Sequence, residues 1–338
     1  NKELQTRLVA RFEKDCCLLD KAAVCAKQKV TLGTHPERMS LALLAALAAP
    51  VAYGAPTQDD IAAARLAYIA GDYNDALKVI QEGADAGNAM ALNILGAAYQ
   101  DGHGVEQDTS KAVELFEQAA KAGEVRAFFN LGTLFAEGSE PFEIDRIRAA
   151  KEFQSAADQG YGPAMTALGR LQETAEPADH EHAADWYEKG HKAGDVIGTT
   201  NLAHAYVKGR GREENWIRAR VLYTEAASRG YPSAFNDLGV MHEEGYGVHM
   251  DQLTAYSFYL QGVKGNYPKA GKNIAQLIIK ARFPWSSKHA ALGYCIWAVR
   301  NASETEKASF QEDCEELVTE VDPDADMRAR AERFADQL

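Results

Sequence analysis

The densest group of side chains able to bind a metal is Asp179-His180-Glu181-His182, with Asp185 and His191 nearby. A zinc site needs three or four such ligands converging on one point. Alternate residues of a helix do not share a face, and the HExxH pattern is absent because residue 184 is alanine. The group therefore reads as a capped helix start with a solvated face, and no metal site is expected. The glycine pairs Gly102/Gly104, Gly209/Gly211 and Gly245/Gly247 could suggest phosphate loops. They follow helical rather than strand patterns, lack the GxxxxGK[ST] lysine and recur as hinges, so nucleotide binding is not expected. There is no GxSxG, and no Cys/His pair downstream of residue 54 has a recognisable catalytic spacing. Asn301-Ala302-Ser303 matches a glycosylation sequon by pattern alone and reads as an ordinary turn. No catalytic residue and no cofactor are expected.

The elements that carry these residues repeat. Residues 89–124 place Ala91, Leu95, Gly96 and Tyr99 at helical spacing, then Ala112, Phe116, Ala119 and Ala120 at helical spacing again. Asp101-Gly102-His103-Gly104 separates the two, with glycine suited to end the first helix and Asp108 to cap the second. The unit is a helical hairpin, and copies of it align at the cap. The cap position reads Asp72, Asp108, Asp145, Asp179, Asn215, Asp251 and Ser287, at intervals of 36, 37, 34, 36, 36 and 36 residues. Four residues on, every copy has alanine, from Ala76 to Ala291. Eleven further on stand Gly87, Gly123, Gly160, Gly194, Gly230 and Asn266, residues that tolerate positive φ; the seventh copy has Ala302 instead. Within the first helix a small residue recurs at Gly96, Gly132, Gly169, Ala203, Gly239 and Ala275. A mid-helix glycine costs roughly 1 kcal/mol against alanine, so its recurrence in register implies a repeated steric demand, two helices crossing closely.

The pattern A-x-x-x-L-G-x-x-Y-x-x-G-x-G-V followed by D-x-x-x-A-x-x-x-F/Y-x-x-A-A-x-x-G resembles the Sel1-like repeat, a relative of the tetratricopeptide repeat. The second copy matches nearly throughout and the fifth and sixth closely. The third and fourth depart in the hinge, at Gly138-Ser139-Glu140-Pro141 and Thr174-Ala175-Glu176-Pro177, and the first, with Gly71-Asp72-Tyr73, is closer to a tetratricopeptide hairpin. The resemblance implies an all-α fold, a right-handed α-solenoid of about seven stacked hairpins. It also implies a protein-binding scaffold, although such folds serve many unrelated partners.

The 338 residues are 46% hydrophobic and 25% charged with a net charge of −13, which argues against a nucleic-acid backbone as partner. Residues 1–38 lie outside the repeat pattern and carry Cys16, Cys17 and Cys25. From Met39 an apolar run reaches Ala49, too short to span a bilayer, then Pro50 and a small-residue exit, Ala52-Tyr53-Gly54. Residues 39–54 thus have the outline of a secretory signal, the competing reading being a buried helix of the first repeat. Export would leave a chain of net charge −16 with two cysteines, Cys295 and Cys314, on the apolar stripes of neighbouring helices. Ser303-Glu304-Thr305-Glu306 reads as a capping box between them, so antiparallel helices would bring the two sulfurs to similar heights. A disulfide is expected, against two buried free thiols. The repeat solenoid is expected over 55–302 and a helical cap with a polar outer face over 303–338.

What remains for function is surface. In related solenoids the first helices line the concave face. Just before the small crossing residue, asparagine recurs, as Asn130, Asn201 and Asn273 two positions before and Asn93 and Asn236 three before. These amides could bond within the scaffold or form a ladder for an extended peptide, with Arg126, Phe129, Arg170, His204 and Lys272 beside it. The expectation is a monomeric, non-catalytic adaptor of the cell envelope, periplasmic or secreted, binding a protein or peptide on that face, with neither nucleic acid nor a stable membrane span involved. The alternatives are an enzyme or wall-binding protein of the secreted, cysteine-rich branch that this family resemblance brings with it, β-lactamase-like, or a cytosolic regulatory adaptor.

Overall fold

The computed structural model describes residues 55–281, 287–321 and 323–338. The chain divides into two units, Asn1–Pro56 and Thr57–Leu338, and the helical architecture belongs to the second. The upstream segment 1–38 with its three cysteines, the apolar run 39–54, the tract 282–286 and Asp322 lie outside the described residues.

Sixteen α-helices and no strand occur among the described residues. They pair as α1 (Gln58–Ile69) with α2 (Tyr73–Asp85), α3 (Ala89–Asp101) with α4 (Thr109–Lys121), α5 (Val125–Glu137) with α6 (Arg146–Ala157), and α7 (Gly162–Glu173) with α8 (His180–Lys192). The series continues with α9 (Val196–Lys208) and α10 (Trp216–Ser228), α11 (Pro232–Glu244) and α12 (Gln252–Lys264), then α13 (Pro268–Ala281) and α14 (Lys288–Asn301). Each hairpin packs on the next, and the buried apolar side chains form three clusters, from Ile61 to Leu168, from Ala183 to Met241 and from Ala255 to Ala335. First helices of successive hairpins also touch at four steps, α1 with α3, α3 with α5, α7 with α9 and α11 with α13, whereas successive second helices make weaker contact or none. The stack is an α-solenoid whose inner wall is made of first helices. Among the described residues no helix is long and apolar enough to cross a membrane.

Five of the seven cap residues act as the pattern predicts. Asp108 accepts from the Lys111 amide at 2.9 Å, and Asp145, Asp179, Asn215 and Asp251 accept in the same way from the amides three residues on. Asp72 and Ser287 do not. Asp72 has ψ +66 where those five have +83 to +99, and its carboxylate meets none of the free amides. The Ser287 hydroxyl instead meets His289 Nε2 at 3.3 Å. At the other end the second helices stop where expected: the five glycines have φ from +78 to +93, and Asn266, at +57, is the one non-glycine residue with positive φ among the described residues.

The alanine column is sealed, no member more than 3% exposed. The small crossing residue has a more specific cause than helix backbones in contact. A Cβ added at Gly132, Gly169 or Gly239 would lie 2.5 Å from the ring of Phe153, Tyr187 or Tyr259, and one at Gly96 2.8 Å from Phe116. These rings come from the position eight residues after each cap and are at most 3% exposed. Each therefore lies flat over its glycine, the largest buried group of the repeat resting on the smallest. The fifth copy combines Ala203 with Tyr223 at the cap-plus-eight position, and the seventh combines Ala275 with Cys295 there.

The stack ends in α15 (Glu304–Val321) and α16 (Ala325–Ala335). Ser303 Oγ donates to Glu306 at 2.7 Å at the start of α15. Cys295 and Cys314 join α14 to α15 as a disulfide with Cα atoms 5.8 Å apart. The last helix does more than present a polar face. α16 packs on α14, where the Phe334 ring meets Tyr294 edge-on at 5.1 Å and Ala331 and Ala335 are buried, while Arg300 of α14 is paired with Asp336 at 2.8 Å.

Candidate interaction surface on the first helices

The side chains that looked most like chemistry in the sequence are placed apart. Asp179 is held by its own helix start, accepting from the His182 amide at 3.1 Å and lying 2.6 Å from His182 Nδ1. Those hydrogen bonds keep its carboxyl below the usual range. Asp185 is bound to Arg212 at 2.7 Å, and His191 approaches Thr199 at 3.1 Å. Among the described residues no group of three or more His, Cys, Asp or Glu is placed to hold a metal ion. The glycine pairs are hinges packed on the preceding repeat. At Gly211, φ +66, a side chain would run into the His180 carbonyl. Asn301 donates to the Trp297 carbonyl at 2.8 Å, as at an ordinary helix end.

The ten surface candidates divide into two sets according to their helical position. Asn130, Asn201 and Asn273, two before the crossing residue, share a face with Arg126, Arg170 and His204, because positions three and four apart meet on one side of a helix. Of these, Arg170 and His204 are exposed and the others half-buried, which puts them on the open side of the inner wall. Position three before the crossing turns instead toward the next repeat. Asn93 and Asn236 are buried, at 9% and 6% exposure. Asn130 Nδ2 donates to Asn93 Oδ1 at 2.9 Å, and Asn273 Nδ2 to Asn236 Oδ1 at 2.8 Å. Phe129, at the same position, packs on Phe153 and Tyr161 with centroids 5.6 and 5.5 Å away. Lys272 donates to Asp313 of α15 at 2.9 Å and so ties the last repeat to the cap.

The amide pairs bond across repeats with a fixed diagonal, position minus three to position minus two of the following copy. Asn201 completes no such pair: Thr166, which stands where Asn93 and Asn236 do, donates to Asp195 at 2.5 Å, and the Asn201 side chain makes no hydrogen bond among the described residues. Removing one member of a buried amide pair leaves the other unsatisfied, which costs about 1–3 kcal/mol. Asn236→Ala is therefore expected to lower stability in urea by about 1–2 kcal/mol, and Asn236→Ala with Asn273→Ala by less than the sum of the singles. Asn201→Ala should leave the midpoint unchanged. Additive losses would mean that the pair is not formed.

Sequence reasoning missed the residues that complete the open side near Asn201. Lys208, four beyond His204 on the same stripe, and Arg210 in the following hinge line a cavity of about 170 Å³ with Asn201, His204, Glu173 and His180. The four-residue spacing from His204 was a legible signal for Lys208; nothing in the local pattern pointed to Arg210. Tyr187 forms the floor, its hydroxyl donating to Glu173 at 2.6 Å. Burial first, and then the Glu173 carboxylate, push that phenol far above its ordinary value, so it remains a donor. His204 Nε2 lies 3.1 Å from Asp237 and its ring meets Tyr223 edge-on at 5.5 Å.

Stacked hairpins with an inner wall of first helices define a helical repeat protein. The Sel1 repeat matches residues 89–124, 126–161, 162–195, 197–231 and 232–267. These five stretches cover more than half of the chain, which belongs to the Sel1 repeat family; the first and last hairpins fall outside them. The chain is 28% identical over 199 residues to an uncharacterized protein of Neisseria meningitidis serogroup B, covering 59% of this chain and 41% of that protein. It is 22% identical over 260 residues to chitin synthase regulatory factor 3 of Schizosaccharomyces pombe, covering 62% and 28% respectively. It thus spans less than half the length of these relatives. Among solved structures, a Sel1 repeat protein from Oxalobacter formigenes superimposes with a TM-score of 0.58 at 22% identity, covering 76% of this chain and 97% of that one. A protective antigen of uropathogenic Escherichia coli gives 0.56 at 22% identity, covering 81% and 59%. At that identity the likeness bears on the fold.

Proposed function

We propose that this protein is a non-catalytic interaction scaffold that binds a segment of a partner protein along the inner wall of first helices. The observation that carries the reading is the stripe Arg126, Asn130, Arg170, Asn201, His204 and Asn273, polar groups on one face of successive first helices, each exposed or half-buried. Relatives are named as regulators and complex components, among them the chitin synthase regulatory factor and an E3 ubiquitin-protein ligase component of Arabidopsis thaliana. The proposed location is the cell envelope, supported by the signal-like run 39–54 and by a disulfide, which persists in oxidising compartments.

Photo-crosslinkable residues placed singly at Asn130, Asn201 and, as an outer-face control, Lys151 test the scaffold reading in the native host. Adducts of one size from the two inner positions and none from Lys151 are expected. Equal trapping at all three, or trapping at Lys151 alone, would move the binding face elsewhere. Fractionation of the tagged chain with an envelope marker is the expected outcome for location.

A further inference from the structure

Most cations near the inner wall and its cap are already occupied. Arg148, Arg212, Lys269, Lys272 and Lys280 each pair with a carboxylate of the same chain, at 2.7, 2.7, 3.2, 2.9 and 3.6 Å. Three are not. Arg170, Lys208 and Arg210 are exposed and hold no carboxylate among the described residues. Arg170 lies close enough to act electrostatically on Tyr187, which floors the cavity that Lys208 and Arg210 line. The three thus stand around one point of a chain whose net charge is −13.

The cavity itself holds unused polar groups. Asn201 lacks a partner among the described residues, and the buried Nδ1 of His180 has none either. The one carboxylate in the lining, Glu173, accepts the Tyr187 hydroxyl, and Asp237 beside the rim is held by His204. Unpaired guanidinium and ammonium groups next to a free amide are suited to a carboxylate, which can accept several such bonds at once. The volume, about 170 Å³, admits one acidic side chain rather than a whole small-molecule ligand. The stripe continues from Asn201 to Asn130, so a chain anchored here has amides to follow.

We propose that the surface formed by Arg170, Asn201, Lys208 and Arg210 is the anchor for an acidic segment of the partner protein, one Glu or Asp side chain entering the cavity and a neighbouring one meeting Arg170. This rests on the scaffold reading and assigns the chemistry of its ligand. The acidic balance of the chain disfavours such a segment elsewhere, so register is set where three unpaired cations stand together.

The probe is a fluorescein-labelled hexaglutamate peptide titrated with the full chain and read by fluorescence anisotropy at low salt, with hexaglutamine and hexalysine as controls. Saturable binding of hexaglutamate alone is expected, weakening as sodium chloride shortens the screening length. Arg170→Gln, Lys208→Gln and Arg210→Gln should each reduce affinity about three- to fivefold and the triple variant about 30-fold, with Lys151→Gln unchanged. All four side chains are exposed, and unchanged circular dichroism would show that folding is intact. Equal binding of hexaglutamine, or a triple variant that binds hexaglutamate like the parent, overturns the proposal. So does displacement by inorganic phosphate as readily as by unlabelled hexaglutamate, which would make this a small-anion site. If crosslinks at Asn201 trap a partner while hexaglutamate does not bind, the acidic chemistry fails and the scaffold stands; loss of the inner-face crosslinks removes the scaffold itself.

Discussion

Gly239→Leu is expected to destabilise the solenoid by about 3 kcal/mol or more, the upper part of the range for overpacking a filled core. Leucine is the better helix former by nearly 1 kcal/mol, so propensity alone would make the variant more stable and the sign is decided by packing. A Cβ at 239 would lie 2.5 Å from the Tyr259 ring. That ring cannot step aside, because it is fully buried and its hydroxyl is bonded to Glu243 at 2.7 Å. Gly239→Ala brings the same Cβ against the ring and should also destabilise, by about 1–2 kcal/mol, less than leucine because no further side-chain atoms follow it. Repeat arrays are held by nearest-neighbour interfaces, so the leucine variant should also unfold with a smaller urea dependence as the repeats on either side of α11 uncouple. A leucine variant with the parent's midpoint and slope would show that the ring does not set the residue at this column.

Removing the Cys295–Cys314 bridge by Cys295→Ala with Cys314→Ala is the second large effect, a loss of about 3 kcal/mol confined to the end of the stack, since closing a ring of this size restricts the unfolded chain by roughly that amount. The cysteines are 19 residues apart and their Cα atoms 5.8 Å apart, within the ordinary span of a disulfide. The sulfurs are buried, at 3% and 8% exposure, and sit among Phe310, Leu317 and Val321 under the cap. Hydrogen exchange should therefore accelerate in α15 and α16, while α3 to α9 keep their protection. The native protein, denatured without reductant, should show neither thiol free to alkylation; two alkylated thiols at these positions would remove both the cross-link and its support for an oxidising compartment.

Much of the hairpin architecture was legible because its causes are local. A cap residue, an alanine and a turn glycine each act within one or two turns of helix, and the same three demands recur at a near-constant interval. The exceptions were local too: Asp72, whose ψ of +66 lies below the +83 to +99 of the five capping residues, makes no cap bond. The asparagines were legible as a recurring pattern, but their roles were not. Positions two and three before the crossing residue are adjacent on the helix, so Asn93 and Asn130 look equivalent in the sequence. In the fold one is buried and the other is its half-exposed donor. Lys272 likewise read as a surface cation, and Asp313, 41 residues away, takes it.

The sequence by itself therefore determined that the chain forms a stack of helical hairpins, where each hairpin turns and which columns are small, since capping, positive φ and helical spacing depend on near neighbours. Only the tertiary structure decided which polar side chains remain free. The stagger of each first helix against the next brings position minus three onto minus two, uses up the amides of Asn93 and Asn236, and leaves Asn201 open where Thr166 interrupts the series. The fold of the 174–179 hinge and its neighbour gathers His180, Lys208 and Arg210 around one cavity, a meeting set by how two repeats pack and not by any spacing along the chain.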